Sequence, residues 1–335
     1  AIAASQHPER GAIDAFERVA YLSVMRFFDR DLVAASLPYG PLIDALDDAF
    51  RQQATVPGRL HHRIEVPGRA DATLLMMPAW RAGQGIGVKV ATIFPGNIDK
   101  GLPSVNASYL LLDANTGQPV AVLEGTEITL RRTAAASALA SRYLSRKDAK
   151  SLLMVGTGKL APHLVSAHAT VRDLDSVMIW GRRPDRAAEL AATLAPASFS
   201  VSAVDDLEGA VRRADIVSCA TLATEPLVKG HWLHPGQHLD LVGAFRPDMR
   251  EADSEAIARS EVYVDTFEGA LAEAGEIVRA MGAGKLERDD IRGDLYSLAR
   301  GTCPARESPD AITLFKSVGS AIEDLAAAEL AIARA

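Results

Sequence analysis

A chain of 335 residues has room for two domains, and 48% hydrophobic with 24% charged residues is the composition of a globular protein rather than a disordered or fibrous one. A net charge of -7 gives no basic footprint for nucleic acid, so any Arg and Lys that matter should act locally, on small anions. No apolar run of about eighteen residues suggests a membrane span, and Ala1 to Arg10 lacks a charged-then-apolar export signal. Cys219 and Cys303 are too sparse for a disulfide scaffold, so a reducing, cytoplasmic setting is the expectation.

Apolar residues at helical spacing predict helices over Gly11 to Phe27 and Tyr39 to Gln53. From Leu60 to Val122 the pattern changes to short apolar runs broken by Gly, Pro and Asn: Thr73 to Met77, Gly87 to Phe94, Ala107 to Asp113 and Val120 to Leu123. These read as a mostly antiparallel sheet, with Asn115-Thr116-Gly117 turning one hairpin. An Ala-rich helix over Thr129 to Tyr143 follows. Then come short apolar strands at Ser151 to Val155, Ser176 to Trp180, Ile216 to Ala220 and Leu239 to Val242, separated by helical patterns. Strand alternating with helix predicts a doubly wound parallel sheet. Ala311 to Ala335 reads as one long helix that packs back on the N-terminal half. The predicted fold is therefore α/β, a Rossmann domain over 131–310 plus a discontinuous α+β domain over 1–130 and 311–335.

The strand Ser151 to Val155 runs into Gly156-Thr157-Gly158-Lys159-Leu160-Ala161 and a helical pattern. In that context Gly156 permits the tight turn, Gly158 lets backbone approach a pyrophosphate, and Ala161 allows helix and strand to pack closely. The next strand ends at Trp180-Gly181 and is followed by Arg182 and Arg183 where NAD-specific sites usually place an acid. Two guanidinium groups there suit a 2′-phosphate, so NADPH is the preferred cofactor with NADH possible; a solvated turn is the alternative. Ala220-Thr221 and Val242-Gly243-Ala244 end two later strands, where this sheet type puts its ligand crevice.

Three cations stand out by position: Arg59 after Val56-Pro57-Gly58, Lys89 within an apolar strand, and Arg132 at the start of the Ala-rich helix. A lysine flanked by apolar strand residues lies on a wet face or points into a site holding its partner, and sequence leaves both open. His61 and His62 are adjacent and point to opposite faces of an extended chain, so no metal is expected.

Taken together, Met77-Pro78-Ala79, Gly87-Val-Lys89-Val, Phe94-Pro-Gly-Asn97, Gly101-Leu-Pro, Arg132-Thr-Ala-Ala, Gly156-Thr-Gly158, Val242-Gly-Ala and Phe315-Lys-Ser-Val-Gly319 resemble the ornithine cyclodeaminase/μ-crystallin family over nearly the whole chain. The resemblance implies a Rossmann domain joined to a dimerising sheet domain, and hence a homodimer. It implies that Arg59, Lys89 and Arg132 hold a substrate carboxylate near the nicotinamide, and that Ser104, Thr129, Arg132 and Ser317 touch the cofactor. Cyclodeaminases of the family carry an acid where this chain has Phe245 and a Glu where it has Leu75. Without those carboxylates a second amine has no partner, and the chain looks more like the family's imine reductases.

The expected activity is NAD(P)H-dependent reduction of a small cyclic imino acid, Δ1-pyrroline-2-carboxylate or Δ1-piperideine-2-carboxylate, to L-proline or L-pipecolate. Lys89, crowded by two arginines and so lowered in pKa, is the expected proton relay, and Phe245 with Leu75 the expected dry wall against the ring. Ornithine cyclodeaminase, an alanine dehydrogenase-like enzyme and a non-catalytic NADPH-holding protein remain as alternatives.

Overall fold

The computed structural model describes residues 25–195 and 197–335. Two sheets form the frame. The first has six strands: β1 (Arg26–Phe28), β2 (Leu60–Ile64), β3 (Ala72–Arg81), β4 (Gly85–Ile93), β5 (Val105–Asp113) and β6 (Pro119–Glu124), in the order β1-β6-β5-β4-β3-β2. All its pairings are antiparallel except β1 with β6. The predicted helix over Gly11 to Phe27 is therefore corrected at its end. Residues 11–24 lie outside the described residues, and Arg26–Phe28 is a strand paired with β6, with Phe28 buried and Phe27 exposed. Sequence also missed β2, whose polar His-His-Arg run carries no apolar alternation.

The second sheet contains β7 (Ser151–Val155), β8 (Ser176–Trp180), β9 (Ser200–Ala203), β10 (Ile216–Cys219), β11 (His238–Leu241), β12 (Glu261–Val264), β13 (Ile291–Asp294) and β14 (Thr313–Lys316). Its order is β13-β12-β14-β11-β10-β7-β8-β9, and every pairing is parallel. The run β9-β8-β7-β10-β11-β14 is the doubly wound arrangement, with β14 as its sixth strand. The chain turns from one side of β7 to the other at β10, and the ends of that pair bound the crevice where such sheets bind ligands. The stretch from Ala311, predicted as one helix, divides into β14, inside this parallel sheet, and the helix Ala321–Arg334. Thr313, Leu314 and Phe315 are fully buried, as in a strand of a parallel sheet covered on both faces.

The two sheets meet on one helix. Gly125–Leu144 packs on β4, β5 and β6 with one side and on β11 and β14 with another. Its buried Ala134, Ala135, Ala136, Ala138 and Ala140 keep the backbone near both layers while favouring the helix. Glu124 caps it, accepting from Thr126 N and Glu127 N. Helix Tyr39–Arg51 buries Leu42, Ile43, Leu46 and Phe50 against this helix and Ala321–Arg334, each worth about 1.5–3 kcal/mol in transfer terms. Ala321–Arg334 also lies across β3, β4 and β5, on the face that carries Lys89.

Candidate functional site

The loop after β7 turns at Gly156, whose φ of 123° favours glycine, and a Cβ there would stand 2.6 Å from Ala220 O. β7 and β10 thus close on each other at the crevice. Gly158 faces open space where a side chain would intrude. Among the described residues the amides of Thr157, Gly158, Lys159 and Leu160 donate to no protein acceptor, and no side chain caps helix Ala161–Val171. Unpaired donors at a helix N-terminus beside an open glycine fit a dinucleotide pyrophosphate. Thr221 follows β10; Val242, Gly243 and Ala244 follow β11; buried Ser317 follows β14 and donates its amide to Leu241 O at 3.2 Å. These residues lie on neighbouring strand ends, along one edge of the sheet.

Arg182 and Arg183 are exposed after β8. Arg183 is bidentate with Asp185, Nη2 to Oδ2 at 2.7 Å, whereas Arg182 pairs with no carboxylate among the described residues. Ser104 lies on the loop before β5, its carbonyl accepting from Phe94 N. No hydrogen bond among the described residues joins its side chain to the crevice. Phe245 is 43% exposed on the loop after Ala244, and Leu75 is half-buried in β3 against the core.

The three sequence-singled cations gather where β4, the two long helices and the loop after β14 meet. Lys89 is 4% exposed, its Nζ 2.7 Å from Asp324 Oδ2 and 3.5 Å from Thr129 Oγ1. Arg132, equally buried, donates from Nε to Asp324 Oδ1 at 3.0 Å and from Nη1 to Glu323 Oε2. Arg59 donates from Nη2 to Gly319 O at 2.6 Å and pairs through Nη1 with Glu273 at 3.2 Å. Arg132 underlies the same Gly319, where an added Cβ would meet its guanidinium. Asp265 fixes this loop by accepting from Val318 N and Gly319 N. A cleft of about 720 Å³ opens from Arg59, past Met77 and His61, to Phe267, Glu273 and Tyr296.

Burial lowers the Lys89 ammonium to about 8; Asp324 opposes the shift and Arg132 adds to it. The expected cause, crowding by two arginines, is thus corrected: removal from water is the largest contribution, and Arg59 bonds elsewhere. Burial also raises Glu323 to about 7 against the opposing effect of Arg132. Sequence reading missed Glu323 and Asp324, both essentially inaccessible to water. The available signal was two adjacent acids in the first turn of an Ala-rich helix, where a helix start alone accounts for acids.

No cluster of His, Cys, Asp and Glu suited to a metal occurs among the described residues, and no described helix is long and apolar enough to cross a membrane.

The Δ1-pyrroline-2-carboxylate reductase of Paracoccus denitrificans is 39% identical, over 83% of this chain and 88% of its own. The Thermococcus litoralis Δ1-pyrroline-2-carboxylate reductase, solved with NADH and L-proline, superposes with a TM-score of 0.86 at 36% identity, covering 92% of this chain and 97% of that one. An archaeal alanine dehydrogenase dimer with bound NAD gives a TM-score of 0.85 at 30% identity, over 92% and 95% of the two chains. The family described as ornithine cyclodeaminase/mu-crystallin matches residues 30–335, and this chain belongs to it.

Proposed function

We propose that this chain reduces a cyclic imino acid, Δ1-pyrroline-2-carboxylate and/or Δ1-piperideine-2-carboxylate, to L-proline or L-pipecolate with NAD(P)H. The observation that carries the reading is the buried Lys89-Asp324-Arg132 group beside Arg59, which donates to Gly319 O two residues along the chain from the crevice residue Ser317. The named reductases from Paracoccus and Thermococcus support it.

The cofactor, when bound, supplies the hydride that reduces the imine carbon. Thr157 to Leu160 would hold its pyrophosphate, with Thr221, Gly243, Ala244 and Ser317 along its nicotinamide half. Arg59 is the cation freest to meet a substrate carboxylate, because its partner Glu273 sits at the rim, 25% exposed. Lys89 and Arg132 are held from behind by Asp324 and Glu323, and a Glu323 that titrates near neutrality leaves Arg132 charge for a second anion. Lys89 carries the proton that the imine nitrogen needs to accept hydride, with Asp324 keeping the ammonium aimed. Direct formation of proline from the imine without added ammonia tests this chemistry. Turnover only when a keto acid and ammonia are both supplied would favour an amino-acid dehydrogenase.

Phe245 and Leu75 provide apolar surface where an ornithine side chain would need a carboxylate. Phe245→Asp is expected to lower kcat/KM for the imine about 10-fold, and an unchanged value would remove Phe245 from the substrate wall.

We assign the preference for NADPH to Arg182, which has no ion-pair partner among the described residues, assisted by Arg183. Arg182→Ala should raise the KM for NADPH about 10-fold while leaving that for NADH within about twofold. Equal effects on both cofactors would contradict this. The homodimer is supported by the outer face of the six-stranded sheet, where Pro78, Val88, Leu110 and Val122 form a partly exposed apolar row with Trp80 and Val90 beside it. The archaeal alanine dehydrogenase is itself a dimer. Sedimentation at twice the chain mass is expected; the single-chain mass would contradict it. The free thiols Cys219 and Cys303 suit the reducing cytoplasm.

A further inference from the structure

Beneath the crevice, one buried side chain holds two of its turns. Glu251 is 0% exposed. Its Oε1 accepts from Thr221 N at 2.6 Å and from Thr221 Oγ1 at 2.9 Å, and its Oε2 accepts from Gly243 N at 2.6 Å. The turns after β10 and β11 thus share a single carboxylate. Gly243 comes so close that a Cβ would collide with the Thr221 backbone and with Glu251 itself. Glu251 is anchored in turn. Its amide donates to Glu276 Oε1 at 2.7 Å, and its carbonyl accepts from Leu227 N and Val228 N. Glu276 pairs with the fully buried Lys316 at 3.3 Å, and Lys316 donates to Leu241 O at 3.2 Å. The network joins the ends of β10, β11 and β14.

An ionised carboxylate this deep is costly to bury, and burial lifts it to about 7. Among the described residues its side-chain bonds go to the two crevice turns alone. A trans peptide sets its C=O opposite its N–H, so drawing Thr221 N and Gly243 N down to Glu251 turns Ala220 O and Val242 O the other way. Ala220 O indeed faces Gly156 across the crevice, and among the described residues neither carbonyl accepts a hydrogen bond.

We infer that Glu251 is a positioning residue for the cofactor: by gripping Thr221 and Gly243 it aims the Ala220 and Val242 carbonyls at hydrogen-bond donors on the nicotinamide half. Those donors are the carboxamide N–H groups or the ribose hydroxyls. The inference rests on the nicotinamide-cofactor reading above.

The test is direct binding of NADH and NADPH, followed by quenching of tryptophan fluorescence, with thermal unfolding of the cofactor-free protein alongside. In Glu251→Gln the amide nitrogen must face one of the amides it formerly accepted from. Dissociation constants are expected to rise about 10-fold, with the cofactor-free Tm little changed. The same comparison with the 3-acetylpyridine analogue, which lacks the carboxamide N–H, separates the donors. A penalty that disappears with the analogue assigns the carboxamide, and one that persists assigns the ribose. Should the E251Q chain not fold, Thr221→Val removes one of the three bonds and keeps the amide, and a several-fold weaker affinity at unchanged Tm is expected. Wild-type affinity in a folded E251Q protein, or in T221V where that variant stands in, overturns the inference alone. A wild-type chain that binds neither dinucleotide overturns the cofactor reading and the inference with it.

Discussion

Lys89→Met should lower kcat/KM for imine reduction about 10³-fold, the scale on which a positioned proton donor contributes. Methionine fills nearly the same space, so the loss reports the ammonium rather than packing. The sign of the accompanying pH effect follows from the lowered pKa. Lys89 in the folded protein titrates near 8, below the ordinary value of 10.5, and only its protonated form can donate. Activity limited by this group is present below that pH and falls as pH rises through about 8. The wild-type profile of kcat/KM should show that alkaline limb and the Met variant should lose it. A limb that survives the substitution would assign the proton to water or another group.

Arg132→Met should be the most damaging to the fold. Arg132 is the shared partner of Glu323 and Asp324, all three within the core, and breaking such a group costs about 3–5 kcal/mol because uncompensated charge stays buried. Burial already holds Glu323 near 7 while Arg132 pulls it down, so removing the arginine raises it further. A carboxyl whose folded pKa exceeds its unfolded one destabilises as it ionises, and the penalty is relieved as pH falls through the folded value. Denaturant melts should therefore show a larger deficit for Arg132→Met at pH 8 than at pH 6. A loss below about 1 kcal/mol, or one independent of pH, would mean that the cluster is solvated and that Arg132 lies free for substrate.

The contrast between what could and could not be read from sequence has a physical basis. Ser151–Val155 and Ser176–Trp180 match their predicted limits, because the first, buried on both faces, and the second, buried on one and half-buried on the other, are both apolar runs bounded by turn residues. Thr313–Lys316 was absorbed into a helix because four strand residues next to an Ala-rich stretch leave too little pattern, and its fully buried lysine drew no separate reading. Lys89 was legible because a charge between apolar strand neighbours is anomalous. Its partner Asp324 was not, since an acid in a helix's first turn is ordinary, and only the crossing of that helix over β4 brings the two together. Glu251 follows the Val242-Gly243-Ala244 turn that sequence did single out, yet its bonds to Thr221 and Gly243 exist only once β10 and β11 are neighbours.

The central claim is tested most directly by following NADPH absorbance at 340 nm with Δ1-pyrroline-2-carboxylate, beside a parallel incubation of L-ornithine and NAD with an ammonia readout. Rapid NADPH oxidation with proline formed, and no ammonia from ornithine, is the predicted result. Ammonia from ornithine without imine reduction would contradict the account, because it would require a cyclodeaminase to work with Phe245 and Leu75 in place of its carboxylates.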